Sequence, residues 1–303
     1  MSAKNTTEQK KHPAGKLIVL LYYKFVQIPD PSYEVFLHKK VCESIGLKGR
    51  ILIAEEGING TVCGTRRQVE EYKRFCNGHS LFGGIVFKES RAIEQPFPKM
   101  IIKERPEIVT LRHKVDLKNT GKYVKPEELH DMLERGEDVV MIDMRNNYEY
   151  KVGRFENAIQ PDTDKFYELP EKVKEMKDLK DKKIVTYCTG GIRCEKASAL
   201  LVEEGFADVG QLEGGIVKYL EKYPDGHFIG KNFVFDARMT TNGDTESGKQ
   251  VLAKCEHCGK PCDQYRDCTK PDCHQLFIGC EDCVKKYDGL CPVAVKDLEK
   301  MAR

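Results

Sequence analysis

The sequence predicts a multidomain protein in which an α+β domain is followed by a parallel α/β domain and a small cysteine-rich tail. Three observations support this fold class. The first hundred residues alternate strand-like and helix-like patterns in the order β-α-β-β-α-β. Further along, short apolar runs between helical segments are typical of buried parallel strands. Finally, eight of the 13 cysteines fall between residues 255 and 291.

The composition is that of a globular protein with more than one core. A chain of 303 residues suits about two domains and a tail. Its 50 Lys and Arg nearly balance its 48 Asp and Glu, so any nucleic-acid site must be a local feature. No apolar run approaches the roughly 20 residues that span a bilayer, which argues against a membrane partner. Residues 1–15 are polar and lack a signal-peptide pattern, so we expect a disordered leader on a cytoplasmic protein.

Residues 16–112 have the pattern of a ferredoxin-like α+β sandwich. We expect strands at residues 17–23, 50–54, 61–63 and 84–88, with helical periodicity at 35–41 and 68–75. Residues 57–60 (Gly-Ile-Asn-Gly) have turn composition and predict a hairpin turn, the alternative being a cradle for a ligand.

Residues 125–232 predict a parallel α/β domain. Strands are expected at residues 138–143, 183–187 and 209–212, and helices begin near Pro126, Glu195 and Ile216. Strands that alternate with helices favour a parallel sheet. Residues 233–303 are assigned to a polar connector and the cysteine-rich tail.

One cysteine stands where a predicted strand meets a glycine-containing loop. The strand at 183–187 stops at Cys188, Gly190 and Gly191 follow, and a helix begins near Cys194. Ligand sites in parallel sheets lie at this edge. Backbone N–H groups of a small-residue loop and the helix N-terminus both favour a thiolate. Cys188 is therefore predicted to be a nucleophile, the alternative being an inert buried cysteine.

Cys194 has two interpretations. It can resolve an oxidised or persulfidated Cys188 as a disulfide. The alternative is a small apolar residue packed at the start of the helix.

The residues around this loop resemble a rhodanese domain. The active loop would consist of Cys188, Thr189, Gly190, Gly191, Ile192, Arg193 and Cys194. Asp143, Arg145 and Glu149 match the D-x-R…E-[YF] signature of that family, and residues 212–216 match its L-x-G-G turn. Residues 154–158 depart from the usual G-H-I-P-G-A. Arg193 is one place early for the Cys-x5-Arg loop of dual-specificity phosphatases, which favours sulfur chemistry and a persulfide on Cys188.

A wider resemblance connects the chain to the bacterial tRNA uridine(34) hydroxylase family. Residues 55–61, 187–196 and 233–238 carry it, and the order of the three parts agrees. The resemblance implies tRNA as the partner and oxygen-dependent conversion of wobble uridine 34 to 5-hydroxyuridine, with Cys188 essential. The resemblance thus implies molecular oxygen as the co-substrate, and no flavin, haem or facial-triad iron signature is evident in the sequence. A sulfurtransferase and a non-catalytic binding module remain as alternatives.

A basic stretch joins the first two predicted domains, with residues 113–124 as the linker. Between residues 99 and 125, eight Lys and Arg face three acids. This stretch is predicted either to follow the phosphates of an RNA or to be a solvated connector. The candidate RNA-binding residues are Arg112, Lys114, Lys118 and Lys122.

The tail has the cysteine spacing of a structural zinc module. Two C-x-x-C pairs let two thiolates reach one tetrahedral ion, and few large apolar residues are present to fold the tail otherwise. The candidate ligands are Cys255, Cys258, Cys262, Cys268, Cys273, Cys280, Cys283 and Cys291. One partition places Cys255, Cys258, Cys280 and Cys283 in one site and Cys262, Cys268, Cys273 and Cys291 in the other. His257 and His274 are possible substitutes, and metal-free packing or redox pairing is the alternative.

Overall fold

The computed structural model of the protein describes residues 17–242 and 244–301. The predicted leader, residues 1–15, lies outside the described residues. The chain divides into two compact units, with the boundary between Ile108 and Val109.

The first unit is a ferredoxin-like α+β sandwich, as the element order predicts. Its sheet has the order β4-β1-β3-β2-β5, in which β1, β3 and β2 pair antiparallel and β5 runs parallel to β2. Sequence analysis missed β5. The elements are β1 (Leu17–Phe25), α1 (Pro31–Ile45), β2 (Lys48–Ala54), β3 (Gly57–Gly64), α2 (Arg66–Gly78), β4 (Lys88–Ala92) and β5 (Met100–Glu104).

The helices of this unit begin at side-chain caps. Asp30 accepts a hydrogen bond from the Tyr33 N–H at the start of α1, and Thr65 and Gln68 form a capping box at α2. Such caps satisfy N–H groups that the first helical turn leaves unpaired.

The hairpin turn lies earlier than predicted. Glu55 and Glu56 form the turn, whereas residues 57–60 belong to β3. Gly57 is required by close strand approach, since a Cβ there would lie 2.1 Å from the Lys24 carbonyl oxygen. Glycine occurs at this position because β3 and β1 are in close contact here, and not because the chain turns. The last predicted strand, at 84–88, is also displaced, because β4 begins only at Lys88.

The second unit contains the predicted parallel sheet, in the order β6-β10-β9-β7. Strand β6, an edge strand, falls within the residues predicted to be a linker, because Lys122–Val124 pairs with β10. The elements up to residue 222 are β6 (Lys122–Val124), α3 (Pro126–Glu134), β7 (Val139–Asp143), α4 (Asn147–Val152), β8 (Gly153–Phe155), α5 (Leu169–Val173), β9 (Lys183–Tyr187), α6 (Ile192–Glu203), β10 (Asp208–Leu212) and α7 (Gly215–Lys222).

Both faces of this sheet are buried. Successive residues of β9 point to opposite faces, so that Ile184 joins a core with residues of α5 and α6, while Val185 joins one with residues of α3 and α7. This double burial explains the consecutive apolar residues in β7 and β9.

The remaining residues form short hairpins and two helices. Strand β11 pairs with β8, and cysteines make up much of the two small cores that follow. No helix within the described residues is long and apolar enough to cross a membrane. The elements are β11 (Phe228–Gly230), β12 (Asn232–Phe233), β13 (Thr240–Thr241), β14 (Tyr265–Asp267), β15 (Leu276–Ile278), α8 (Glu281–Lys286) and α9 (Pro292–Met301).

Candidate active site

The thiol of Cys188 lies at the carboxyl end of β9, inside the loop that leads into α6. Its side chain is fully buried, and the Gly191 N–H donates a hydrogen bond to Sγ at 3.1 Å. Helix α6 begins at the next residue, Ile192. The sulfur thus faces a backbone donor and the positive end of a helix, as the glycine loop predicts.

This environment favours the thiolate form. Burial alone would raise the pKa of Cys188, but it is outweighed by a hydrogen bond from Cys194, the positive charge of Arg193 and the N–H groups of Arg193 and Gly191. Together these lower the pKa of Cys188 from 9.0 to about 6. The thiol is therefore mostly ionised at neutral pH and is a strong nucleophile.

Arg193 is held in place by a buried carboxylate. Its guanidinium donates two hydrogen bonds to Glu149, at 2.6 and 2.7 Å, and the Glu149 side chain is fully buried. Glu149 also accepts a bond from the backbone N–H of Asn146 at 3.2 Å. Arg193 is thereby fixed beside the sulfur rather than free to wrap a phosphate.

Asp143 and Arg145 form a second buried ion pair next to β9. The guanidinium contacts both carboxylate oxygens of Asp143, at 2.9 and 2.6 Å, and donates to the Gly153 carbonyl at 2.6 Å. Between the two residues, the Met144 N–H donates to the Tyr187 carbonyl at 2.9 Å. The pair therefore fixes the turn after β7 against the end of β9.

Helix α7 holds the loop from its other side. The N–H groups of Ile216 and Val217 donate to the carbonyls of Cys188 and Thr189, at 2.9 and 3.1 Å. Gly215 permits this approach, because its φ is +66° and a Cβ there would lie 2.4 Å from the Cys188 carbonyl oxygen. The L-x-G-G turn thus supports the reactive loop.

Comparisons with known proteins cover nearly the whole described chain. Three family models match in succession: "UPF0176 acylphosphatase like domain" over residues 17–108, "Rhodanese-like domain" over 125–222 and "Rhodanase C-terminal" over 229–294. The tRNA uridine(34) hydroxylase of Cytophaga hutchinsonii is 42% identical over 275 residues, which cover 90% of this chain and 88% of that protein. The enzyme of the same name from Bacillus cereus is 43% identical over 280 residues, which are 90% of this chain and 87% of that one.

The chain belongs to the tRNA uridine(34) hydroxylase family. Among solved structures, a rhodanese-like domain from Anabaena sp. is 24% identical, covers 35% of this chain and 76% of its own, and has a TM-score of 0.30. The resemblances noted in the sequence, to rhodanese and to the hydroxylase family, are confirmed by these family matches.

In this hydroxylase family member, Cys194 is buried in the same core as Cys188. Burial raises the pKa of Cys194, and its hydrogen bond with Cys188 raises it further, so Cys194 stays a thiol while Cys188 ionises. Cys194 is thus a small residue packed at the start of α6, as one of the two sequence interpretations has it, and its thiol also favours the Cys188 thiolate.

The lowered pKa predicts how Cys188 reacts as the pH changes. Because only the thiolate is nucleophilic, its alkylation rate should stay nearly constant above pH 7 and fall about tenfold per pH unit well below the midpoint near 6. The measurement is a pH profile of iodoacetamide labelling of the Cys188 peptide by mass spectrometry. A midpoint close to the ordinary value of 9.0 would show that the loop does not stabilise the thiolate.

The part of the basic stretch that belongs to the second unit contacts α6 at residues 109 and 116. Val109 accepts a hydrogen bond from Lys196 at 3.0 Å, and the Asp116 N–H donates to Glu203 at 2.8 Å. The structure places the four RNA-binding candidates on the surface of the second unit: Arg112, Lys114, Lys118 and Lys122 are all exposed. The Arg112 guanidinium lies 3.9 Å from the ring centroid of Tyr167.

The tail brings seven of the eight predicted ligand cysteines into two groups. In each group, the sulfur atoms lie within 4.8 Å of one another. Cys258 and Cys280 have sulfurs 3.7 Å apart, as do Cys273 and Cys291. The first group contains Cys255, Cys258, Cys280 and Cys283, and the second contains Cys268, Cys273 and Cys291.

The arrangement differs from the predicted partition at Cys262. This residue packs with Cys255, Tyr265 and Ile278, in the core beside the first group, and is not among the three sulfurs of the second. His257 is directed elsewhere, since its Nε2 lies 2.9 Å from the Leu290 carbonyl oxygen. Spacing alone did not reveal this, because the fold of the hairpin β14–β15 decides which sulfurs meet.

A further group of possible ligands, not predicted from the sequence, lies on the second unit. His130, Glu134 and His227 have ligand atoms within 4.8 Å of one another. Nε2 of His227 lies 2.8 Å from a carboxylate oxygen of Glu134. The helical spacing of His130 and Glu134 was a visible signal, whereas His227 is distant in sequence.

Proposed function

We propose that the protein hydroxylates wobble uridine 34 of tRNA to 5-hydroxyuridine, with molecular oxygen as co-substrate and Cys188 as the reactive group. One oxygen atom enters C5 and the other leaves as water, so the reaction also consumes two electrons from an external reductant such as a thiol. The observation that carries this proposal is a family match over 90% of the chain to proteins named tRNA uridine(34) hydroxylase. The buried, low-pKa thiolate supports it, because a tuned nucleophile in a loop at a sheet edge is typical of an active site. With tRNA as substrate, the protein would act in the cytoplasm.

A wobble uridine is a suitable substrate for a buried thiol. The anticodon is single-stranded, so its bases can be turned into a protein pocket without breaking a duplex. Arg193 and Glu149 neutralise each other within the site. A neutral pyrimidine therefore enters without facing an unpaired charge other than the thiolate.

Nucleoside analysis tests the proposed function. We expect tRNA from a deletion strain without a redundant pathway to lack 5-hydroxyuridine and its derivatives, and a plasmid copy to restore them. A plasmid copy that carries Cys63→Ala is the matched control and should also restore them, because Cys63 is a buried cysteine of the first unit. Unchanged nucleosides in the deletion strain would remove the hydroxylase proposal. A persulfide on Cys188 with turnover of thiosulfate would then identify a sulfurtransferase.

We further propose that the exposed basic stretch binds tRNA phosphates. Its attachment to α6 supports this, because α6 begins at the Cys188 loop. A double variant Lys114→Glu, Lys118→Glu should weaken tRNA binding and lower the log–log salt slope by roughly 0.7 to 0.9 for each lost phosphate contact. Binding is measured by fluorescence anisotropy across a salt series.

The matched control reverses the same charge elsewhere on the second unit. Lys174→Glu, Lys182→Glu alters two lysines whose side chains are about half exposed. This variant should retain the wild-type salt slope, and both variants should keep the wild-type rate of Cys188 alkylation. Equal loss of binding in the two double variants would indicate a general charge effect and contradict the proposed path.

We propose that the two cysteine groups hold structural zinc. A tetrahedral ion with Zn–S bonds of about 2.3 Å places its sulfurs about 3.8 Å apart, close to the 3.7 Å observed. This spacing is far beyond that of a disulfide. The first group offers four thiolates and the second offers three, and zinc bound there would staple a tail with small apolar cores.

Zinc content tests this assignment. The reduced protein should contain about two zinc ions, and Cys283→Ser should lose about one of them. Cys262→Ser is the matched control and should keep both, because Cys262 stands outside the two groups. Elemental analysis and limited proteolysis of the tail after chelation are the measurements. A metal-free reduced protein would contradict the assignment.

A further inference from the structure

An aromatic side chain is exposed beside the reactive loop. Phe235 is 59% exposed, and the Arg193 guanidinium lies 5.9 Å from its ring centroid. Arg193 lies in the first turn of α6, directly after the Cys188 loop, and is fixed by Glu149. A single exposed phenylalanine is common on protein surfaces and identifies no site. Phe235 differs from such a residue in its position next to the Cys188 loop and in the turn that holds it.

Phe235 is presented by a rigid turn. The Val234 N–H donates to the Met239 carbonyl and the Met239 N–H to the Asp236 carbonyl, both at 2.9 Å. Arg238 closes the turn, donating to the two carboxylate oxygens of Asp236 at 2.8 and 2.6 Å. Few conformations are lost when such a residue binds a partner, so a fixed ring is a good platform.

The turn is also anchored to the wall of the active site. The ring of Phe235 packs edge-on against Phe233, at 5.3 Å between centroids. Phe233 in turn contacts Tyr148 at 5.2 Å and Tyr265 at 5.1 Å. Tyr148 directly precedes Glu149, the carboxylate that fixes Arg193. Phe235 and the Cys188 loop are therefore positioned by one connected set of contacts.

We infer that Phe235 is a stacking platform for a pyrimidine base of single-stranded RNA, and that it positions the anticodon loop for reaction at Cys188. Single-stranded bases are recognised largely by stacking on aromatic side chains, and the Phe235 ring remains 59% exposed for such a contact. The inference rests on the proposed function, because that function supplies an unpaired uridine. Phe235 is a positioning residue and carries out no chemistry.

The test is a double-mutant cycle between the protein and the RNA. An anticodon stem-loop with uridine at the wobble position is compared with one that is abasic there, by fluorescence anisotropy. Phe235→Ala should weaken binding of the uridine loop by roughly 5- to 100-fold, from the stacking contribution of one base. The abasic loop should bind both proteins equally. Phe235→Trp should restore affinity, whereas Phe235→Leu should not, because leucine lacks an aromatic face.

Phe36→Ala is the matched control, since Phe36 is 57% exposed and lies in the first unit. It should leave binding unchanged. Equal affinities of Phe235→Ala and wild type for the uridine loop, or rescue by leucine, would overturn the inference. Loss of affinity for both loops alike would also overturn it, because the contact would then not involve the base. The binding measurements require no catalysis, so the two proposals can fail separately. Coupling between Phe235 and the wobble base in a protein that forms no 5-hydroxyuridine would refute the proposed function alone. Formation of 5-hydroxyuridine without this coupling would refute the stacking platform alone.

Discussion

Replacement of Cys188 by alanine should lower 5-hydroxyuridine formation by at least about 1,000-fold, since loss of a reacting nucleophile is among the most damaging changes in an enzyme. Stability should fall by only about 1 kcal/mol, because the removed sulfur is small. Turnover of purified protein on tRNA and a thermal melt measure the two effects. Cys63→Ala removes a buried sulfur from the other unit and should retain activity.

One result would contradict the proposed role of the thiolate, and a second variant separates loss of the thiolate from misfolding. A Cys188→Ala protein with near wild-type turnover would show that the thiolate takes no part in the reaction. If Cys188→Ala is both inactive and unfolded, its loss of activity cannot be assigned to the missing thiolate. Cys188→Ser therefore serves as the second variant. Serine retains a hydrogen-bond acceptor for the Gly191 N–H, which in the wild type donates to Sγ, and the variant should be folded and nearly as inactive.

Arg145→Met should destabilise the protein by about 3–5 kcal/mol, because it leaves the Asp143 carboxylate buried without its partner. Both side chains are fully buried, so water cannot replace the lost contacts. Denaturant unfolding of the second unit measures the change. Arg135→Met is the matched control, and it should cost less than about 1 kcal/mol because the Arg135–Glu137 pair is largely exposed.

The double variant Asp143→Leu, Arg145→Met separates the cost of the unpaired Asp143 carboxylate from the loss of the ion pair itself. Removing both charges eliminates the unpaired carboxylate, so this protein should be more stable than Arg145→Met alone. A double variant that is less stable than the single one would mean that Asp143 acts mainly through contacts other than the ion pair.

The sequence predicted the fold well where local patterns decide it. The parallel strands β7 and β9 are buried on both faces and carry the apolar runs Val139–Ile142 and Ile184–Val185, which the sequence shows directly. Strand β5 and the edge strand β6 were missed, because pairing with a distant strand fixes them. At Gly57, local composition suggested a turn, whereas the approach of Lys24 across the sheet determines the conformation.

The site was predictable to a similar extent. The glycine loop and the helix after it identified Cys188, and the structure adds the hydrogen bonds that lower its pKa. The cysteine spacing did not reveal that Cys262 lies apart from the second group, nor that Phe235 stands beside Arg193. Both depend on how distant segments pack, which a single sequence does not encode as a local pattern.

The role of Cys188 is tested most directly with purified protein, tRNA and an excess of a thiol reductant under isotopically labelled molecular oxygen. With the wild-type protein, mass spectrometry should find the label in the C5 hydroxyl of the wobble nucleoside. With Cys188→Ser, it should find no 5-hydroxyuridine. Unlabelled 5-hydroxyuridine whose oxygen comes from water, or labelled product formed equally well by Cys188→Ser, would contradict the proposed reaction.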